Sequence, residues 1–567
     1  MYRKNLIDPE QEGFMHGRST TRYLYRLTSK INTSRNNKKV GLLLLIDFEK
    51  AYDSVWVEGL LKKMFAAGLT GKMWVLTADY LLTRRLNIQL GEISIRDLES
   101  LLGLPQGSIL APLLFIFYIA EMLDETCSEK YKFADDATLY SEQSNKEAAI
   151  LSMQNDMNKL YDWVSKWRFK VNCQRGKTEM IAINFTPSES DSLFLGENKV
   201  EFVKESKILG VWIDGELSWK RQISETRSKS WYAWKRIKTL CNRNYGLKLA
   251  TIINLVKVSV ITTLFYCAPV WADKVENQFQ DLWYNILKVA TGASCKPSLA
   301  KLEVLCSLPP LEIQSKAIIT KFLIKNFMNH EEDLLVKEIT SNVNTRGHFI
   351  TRQVTYVKEY VAERLGSSKG SHRLDIMVYR NTELAGYTKN TMWKFTKQQW
   401  TRHVITWSED ENYVGLLSNK SIRTPCSRST EVYLLSLIHG RISLNKFLHK
   451  LKLVKSPLCS CGKAEEDAQH VIFQCEDFTD SRKSLELETR SSVISFLDDT
   501  GNKADNQDIK NLCKLIAEIK AKKKKDGRKE LKKYFEKKEK DLLTKAKKNQ
   551  LSSVVDKSAL LSTNKVD

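Results

Sequence analysis

Residues 40–47 read VGLLLLID, and residues 130–140 read KYKFADDATLY. Each is an apolar, β-prone run that ends on acid: Asp47 closes the first, and Asp135 and Asp136 stand where the second would turn as a hairpin. Two adjacent acids at the end of a buried element repel one another, and desolvation adds to the cost. A hard divalent cation such as Mg²⁺ or Mn²⁺ resolves that conflict. Two such ions about 3.5–4 Å apart, held by carboxylates gathered at one end of a sheet, are what in-line phosphoryl displacement requires. A lone pair of aspartates is more often a solvated turn, so the surroundings must carry the argument.

Between the acidic runs lies GLPQGSILAP, Gly103 to Pro112. Gly107 would let backbone approach a nucleotide or template, and Ser108 is placed to cap the apolar helix that follows; an ordinary helix start fits the same residues. The runs VGLLLLIDF, RRLNIQL, KYKFADDATLY, TEMIAINF and KILGVWID alternate with helical stretches such as Lys146 to Trp167. Residues 40–220 therefore read as an α+β domain. From about Ile223 to Met328 the aromatic and apolar spacing is helical, as in SWYAWKRIKTL and VSVITTLFYCAPVW, and predicts an all-α bundle. Residues 331–435 are polar and weakly periodic.

Bulk composition agrees. The 567 residues suffice for two to four folded units, and 24 Gly with 10 Pro is about half the usual share, which favours long helices. A net charge of +22 points to a polyanionic partner, nucleic acid before anionic membrane. The longest apolar stretch, Ile109 to Ala120, is too short to span a bilayer, and the start shows no signal peptide, so no membrane partner is expected. Residues 514–548 hold sixteen Lys or Arg against six Asp or Glu, with KKKK at 522–525. Such a tail is a solvated charged helix, a nuclear-import signal or a phosphate-tracking arm. The GKT at Gly176–Thr178 is no phosphate-binding P-loop, since Val171 stands where that loop needs glycine.

Most of the eleven cysteines are scattered, as reduced thiols are. Cys459, Cys461, His470 and Cys475 are not: Cys-x-Cys, then His after eight residues and Cys after four more. Three thiolates and an imidazole suit a closed tetrahedral Zn²⁺ site, with Gly462 turning the chain after the first pair.

Taken in order, DFEKAYDSV from Asp47, GLPQGS from Gly103, FADD from Phe133 and KTEM from Lys177 resemble the palm motifs of reverse transcriptases. GFMHGRST from Gly13 and KILGVWID around Leu209 resemble the flanking motifs of the non-LTR (LINE-type) retrotransposon branch. SVITTLFYCAPVW and LEVLCSLPPLE resemble segments of jockey-like and I-like elements, and the cysteine/histidine pattern resembles their C-terminal motif. The resemblance implies an RNA-directed DNA polymerase acting on dNTPs, an RNA template and a DNA primer; the scattered reduced thiols, with no signal peptide or membrane span visible, lead to the expectation of nucleus and cytoplasm. It implies a right-hand architecture: fingers and palm over 1–222, a helical thumb over 223–330, a linker over 331–440, a zinc module over 441–490 and a basic tail over 491–567. By the same resemblance Asp47, Asp135 and Asp136 hold the metals, helped by the Phe48 carbonyl. Tyr52 is the gate against a ribose 2′-OH, or simply a core aromatic. Gln106 and Gly107 lie against nucleotide and template, and Lys177 protonates the leaving pyrophosphate, or is a surface lysine.

Relatives of this kind carry an endonuclease and a fingers arginine ahead of GFMHGRST, so the sequence reads as N-terminally truncated. A remnant that binds nucleic acid without polymerising is the competing reading, and a host-domesticated polymerase a further one. Oligomeric state is not legible.

Overall fold

The computed structural model describes residues 6–99, 102–272, 276–293, 296–327, 333–342, 345, 348–365, 396–402, 426–438, 444–485, 487 and 506–523. The chain divides into two compact units. One comprises Met1–Thr226, Phe265–Val275 and Ser315–Thr388; the other comprises Arg227–Leu264, Glu276–Gln314 and Lys389–Asp567.

In the first unit a six-stranded sheet runs in the order β4-β5-β1-β6-β8-β7. Its members are β1 (Val40–Ile46), β4 (Glu129–Phe133), β5 (Asp136–Gln143), β6 (Glu179–Ile183), β7 (Leu193–Leu195) and β8 (Asn198–Val203). Four leucines in succession make β1 apolar on both faces, which suits an interior strand covered on both sides. It pairs antiparallel with β5 and β6. Leu42, Leu44 and Ile46, with Ala137 and Leu139 of β5, join one core with Ala149, Met153, Met157 and Leu160 of α5 (Lys146–Lys166). On the opposite face Tyr23 of α1 (Thr20–Asn36) donates to Thr138 Oγ1 at 2.6 Å.

α1 is buried along most of its length although it carries Arg22 and Arg26. Both are neutralised: Arg22 pairs with Glu12 at 3.1 Å and Asp333 at 2.8 Å, and Arg26 with Glu10 at 2.6 Å. Paired and hydrogen-bonded in this way, the charges are tolerable inside the fold.

The run KILGVWID is not one strand. Leu209 and Gly210 both take positive φ, and the segment folds into an antiparallel hairpin of β9 (Glu205–Ile208) and β10 (Val211–Asp214). RRLNIQL does form a strand, β2 (Arg85–Leu90), paired with β3 (Ile93–Glu99).

Among its described residues the second unit is mainly helical, with an antiparallel bridge between Leu458 and Glu465. Residues 249–264 form one helix, whose middle, Val256–Ile261, is wound in π turns. Glu431 Oε2 accepts the Leu249 N–H at 3.0 Å at its start and also pairs with Arg428 at 2.6 Å. Buried Glu303 accepts from Trp283 Nε1 at 3.0 Å, and burial pushes its carboxyl up to about 8. No described helix is long and apolar enough to cross a membrane. Of the basic tail, only 506–523 falls within the described residues, with a helix at Asn506–Lys522.

Candidate active site and metal centre

The register of the central strands brings the acids together. Ile46 lies opposite Ala137, so Asp47, one residue on, stands beside the start of β5 at Asp136. The β4–β5 hairpin closes on the pair Phe133 and Asp136, with Ala134 and Asp135 as its two turn residues and Ala134 left-handed at φ 55°. Burial is the first cause that raises the Asp136 carboxyl from 3.8 to about 6; Asp135 and Asp47 raise it further, and Lys177 opposes them. Asp136 stays open to solvent at the tip. With Asp136 open at the tip, the two neighbouring carboxylates hold its proton on, as in an acid cluster short of cation.

Asp47 is fixed from both sides of its peptide. Its N–H donates to Thr178 Oγ1 at 3.2 Å, and its carbonyl accepts the Asn172 N–H at 2.8 Å. Lys177 Nζ lies 3.8 Å from Asp47 Oδ1. Phe48 turns its ring into the core against Phe169, 5.4 Å between centroids, so only its backbone can serve the site.

Tyr52 stacks on Phe115 at 4.5 Å and 11° between planes. Its hydroxyl is buried without a hydrogen-bond partner, and burial followed by the charge of Asp135 pushes the phenol up to about 12. The structure thus shows the packing of this ring, on which the expected gate against a ribose 2′-OH would also have to act.

Docked on the Tyr52–Val55 stretch is the GLPQGS loop: the Gly103 N–H donates to Val55 O and the Leu104 N–H to Tyr52 O, both at 2.9 Å. A side chain at Gly103 would run into the Asp53 backbone at 2.7 Å. Gln106 Nε2 donates to Asp53 Oδ1 at 3.2 Å, while Gly107, at φ 84°, faces open space. Ser108 does not cap the following helix, α4 (Ala111–Tyr118), whose cap residue is Leu110 with no side-chain bond. The cap lies two residues further on, and Ser108 Oγ instead accepts the Leu110 N–H at 3.2 Å and the Tyr80 hydroxyl.

Thr178, Asp53 and Tyr80, none of them among the expected site residues, hold the named residues in place. The first two sit within the quoted motifs, so their position was a signal; Tyr80 gave none.

In the second unit, ligand atoms of Cys459, Cys461, His470 and Cys475 all lie within 4.8 Å of one another. The Cys459 and Cys475 sulfurs are 3.6 Å apart, close to the edge of a tetrahedron with bonds of about 2.3 Å. Cys461 Sγ meets His470 Nε2 at 3.1 Å, and Gly462, at φ 72°, makes the expected tight turn. His470 is oriented through its backbone, whose N–H donates to Asp467 Oδ1 at 2.9 Å. A backbone hydrogen bond at Lys463 lowers the Cys461 thiol to about 6, whereas burial pushes Cys475 up to about 12. The donor set fits a metal.

Residues 1–213 match the reverse transcriptase (RNA-dependent DNA polymerase) family. The chain is 27% identical over 261 residues to the probable RNA-directed DNA polymerase from transposon BS of Drosophila melanogaster, covering 44% of this chain and 28% of that one. It is 22% identical over 329 residues to the RNA-directed DNA polymerase from mobile element jockey of the same fly, covering 55% and 35%. With the retrovirus-related Pol polyprotein from type-1 retrotransposable element R1 2 of Nasonia vitripennis it shares 21% over 432 residues, covering 73% and 95%. It thus spans about a third of the length of the BS and jockey proteins. Sheet, acid cluster and relatives converge: residues 1–213 carry the reverse transcriptase match, and the chain is similar to the RNA-directed DNA polymerases of non-LTR retrotransposons of the jockey and R1 kind.

Proposed function

We propose that this chain adds deoxynucleoside triphosphates to a primer 3′-hydroxyl on an RNA template, and is in that sense an RNA-directed DNA polymerase. The observation that carries the reading is the meeting of Asp47 with Asp135 and Asp136 at one end of the β1–β5 pair, inside the matched segment. Mg²⁺ or Mn²⁺ held by these carboxylates and the Phe48 carbonyl would activate the hydroxyl and neutralise charge on the phosphates.

The protein's own groups supply the rest. Tyr52, clamped against Phe115, is a rigid wall on which a ribose 2′-hydroxyl collides. Gln106, steadied by Asp53, and Gly107, with no side chain, offer a surface for base pair and template. Lys177, 3.8 Å from Asp47, is placed to act as general acid toward a departing pyrophosphate. Fingers and palm would occupy 1–222, the thumb 223–330 and a structural Zn²⁺ site the Cys/His group, with work shared between cytoplasm and nucleus.

Primer extension by the full chain on an RNA template with dNTPs tests this. Extension that needs Mg²⁺ or Mn²⁺ and falls by about 10³-fold or more in Asp135→Asn is expected, since a metal loses a ligand where charge develops. A parent that binds primer-template and extends it with neither metal would overturn the reading.

A further inference from the structure

The turn that presents Asp135 is held by a residue far from it in sequence. Ala134, 5% exposed, sits in the left-handed region at φ 55° as the first turn residue of the hairpin. The ladder of a two-residue hairpin leaves that N–H without a partner, and a buried orphan donor would favour another turn. Gln11 supplies the acceptor. Its side chain, 1% exposed, takes the Ala134 N–H at 2.8 Å and the Gly13 N–H, also at 2.8 Å, on the same Oε1.

Two further observations place this segment on the hairpin deliberately. Gln11 forms a parallel bridge with Lys132 of β4, and the Glu12 N–H donates to Lys132 O at 2.8 Å. Gly13 passes so close that a Cβ there would sit 2.4 Å from the Ala134 nitrogen. Residues 11–13 thus clasp the tip from the side, by backbone pairing, a shared acceptor and a missing side chain.

We propose that Gln11 is a positioning residue for the metal-binding carboxylates: by fixing the Ala134 turn it sets the direction in which Asp135 and Asp136 leave the sheet. The inference rests on the reading of those aspartates as metal ligands and goes beyond it in naming what aims them. Outer residues that orient metal ligands typically contribute 10–100-fold in affinity.

The test measures Mn²⁺ binding to the full-length chain by electron paramagnetic resonance, with no substrate present, beside amide exchange over residues 130–137. Gln11→Met, of similar length but lacking the acceptor, should weaken Mn²⁺ binding on the order of ten-fold and speed exchange at Ala134. Gln11→Glu, which keeps an acceptor oxygen, should recover most of both. Gly13→Ala leaves Gln11 in place and pushes its segment off Ala134; it should reproduce the defect, and it serves if Gln11→Met does not fold. Binding that Asp135→Asn abolishes but Gln11→Met and Gly13→Ala leave at the parent value would overturn the Gln11 assignment alone. Binding that Asp135→Asn leaves untouched would overturn the metal reading, and this inference with it.

Discussion

Lys177 Nζ stands 3.8 Å from Asp47 Oδ1, and the same ammonium lowers the carboxyl of Asp136 against the two acids that raise it. One lysine therefore stands in for part of the positive charge that the acid cluster needs. It is half exposed, so solvent screens the pair and the lysine remains displaceable by a better cation.

A pH dependence follows from Asp136, raised from 3.8 to about 6. An acid whose folded value is raised holds its proton more tightly folded than unfolded. It costs stability above about 6, and that cost fades as pH falls towards 3.8. The metal-free chain should accordingly lose less stability on mild acidification than its other carboxylates predict. Mn²⁺ must displace the proton, so its affinity should fall as pH drops through about 6. Lys177→Met removes the lowering charge and should move that midpoint upward; titrating Mn²⁺ binding between pH 5 and 8 reads it, and a midpoint that stays put or falls counts against the assignment.

The observed packing of Tyr52 and its proposed gate role can be separated. Tyr52→Ala should raise ribonucleotide over deoxynucleotide incorporation and also cost about 2–3 kcal/mol through the lost stack on Phe115, toward the low end for aromatic truncation because the ring is only partly buried. Tyr52→Phe keeps the wall and frees the fold from a buried hydroxyl without a partner, so it should retain sugar choice at unchanged or higher melting temperature. An unaltered sugar ratio in Tyr52→Ala would leave packing as its only role.

Asp53 is expected to act through Gln106. The bond is exposed and 3.2 Å long, a contact worth about 0.5–1 kcal/mol. Asp53→Ala should therefore raise the KM for dNTP about two- to five-fold while kcat changes less. A fall in kcat alone would place Asp53 elsewhere in the reaction.

Elemental analysis of the full chain should find about one zinc, lost on treatment with a strong chelator. Cys475 is fully buried, and Cys475→Ser should release the metal and speed amide exchange across residues 458–478, because three ligands seldom keep a structural site closed. Affinity should also weaken on acidification, since the thiolates must lose protons to bind. Equal zinc content in Cys475→Ser and the parent would remove Cys475 from the ligand set.

What the sequence by itself determined was chemistry carried by local patterns. Four leucines before Asp47 mark a strand buried on both faces, FADD marks a hairpin with acids at its tip, and Cys-x-Cys with His470 and Cys475 marks a group of side chains that could hold a metal, because residue type and short spacing suffice for each. The tertiary structure decided what spacing cannot encode. That Asp47 meets Asp136 depends on the antiparallel register of β1 and β5, about ninety residues apart in the chain. That Leu209 and Gly210 turn a single apolar run into a hairpin depends on backbone torsions that KILGVWID does not announce. Ser108 held by Tyr80, and Ala134 held by Gln11, follow the same rule. A hydrogen bond between distant segments leaves no period in the sequence, since its partners are chosen by how the chain closes on itself.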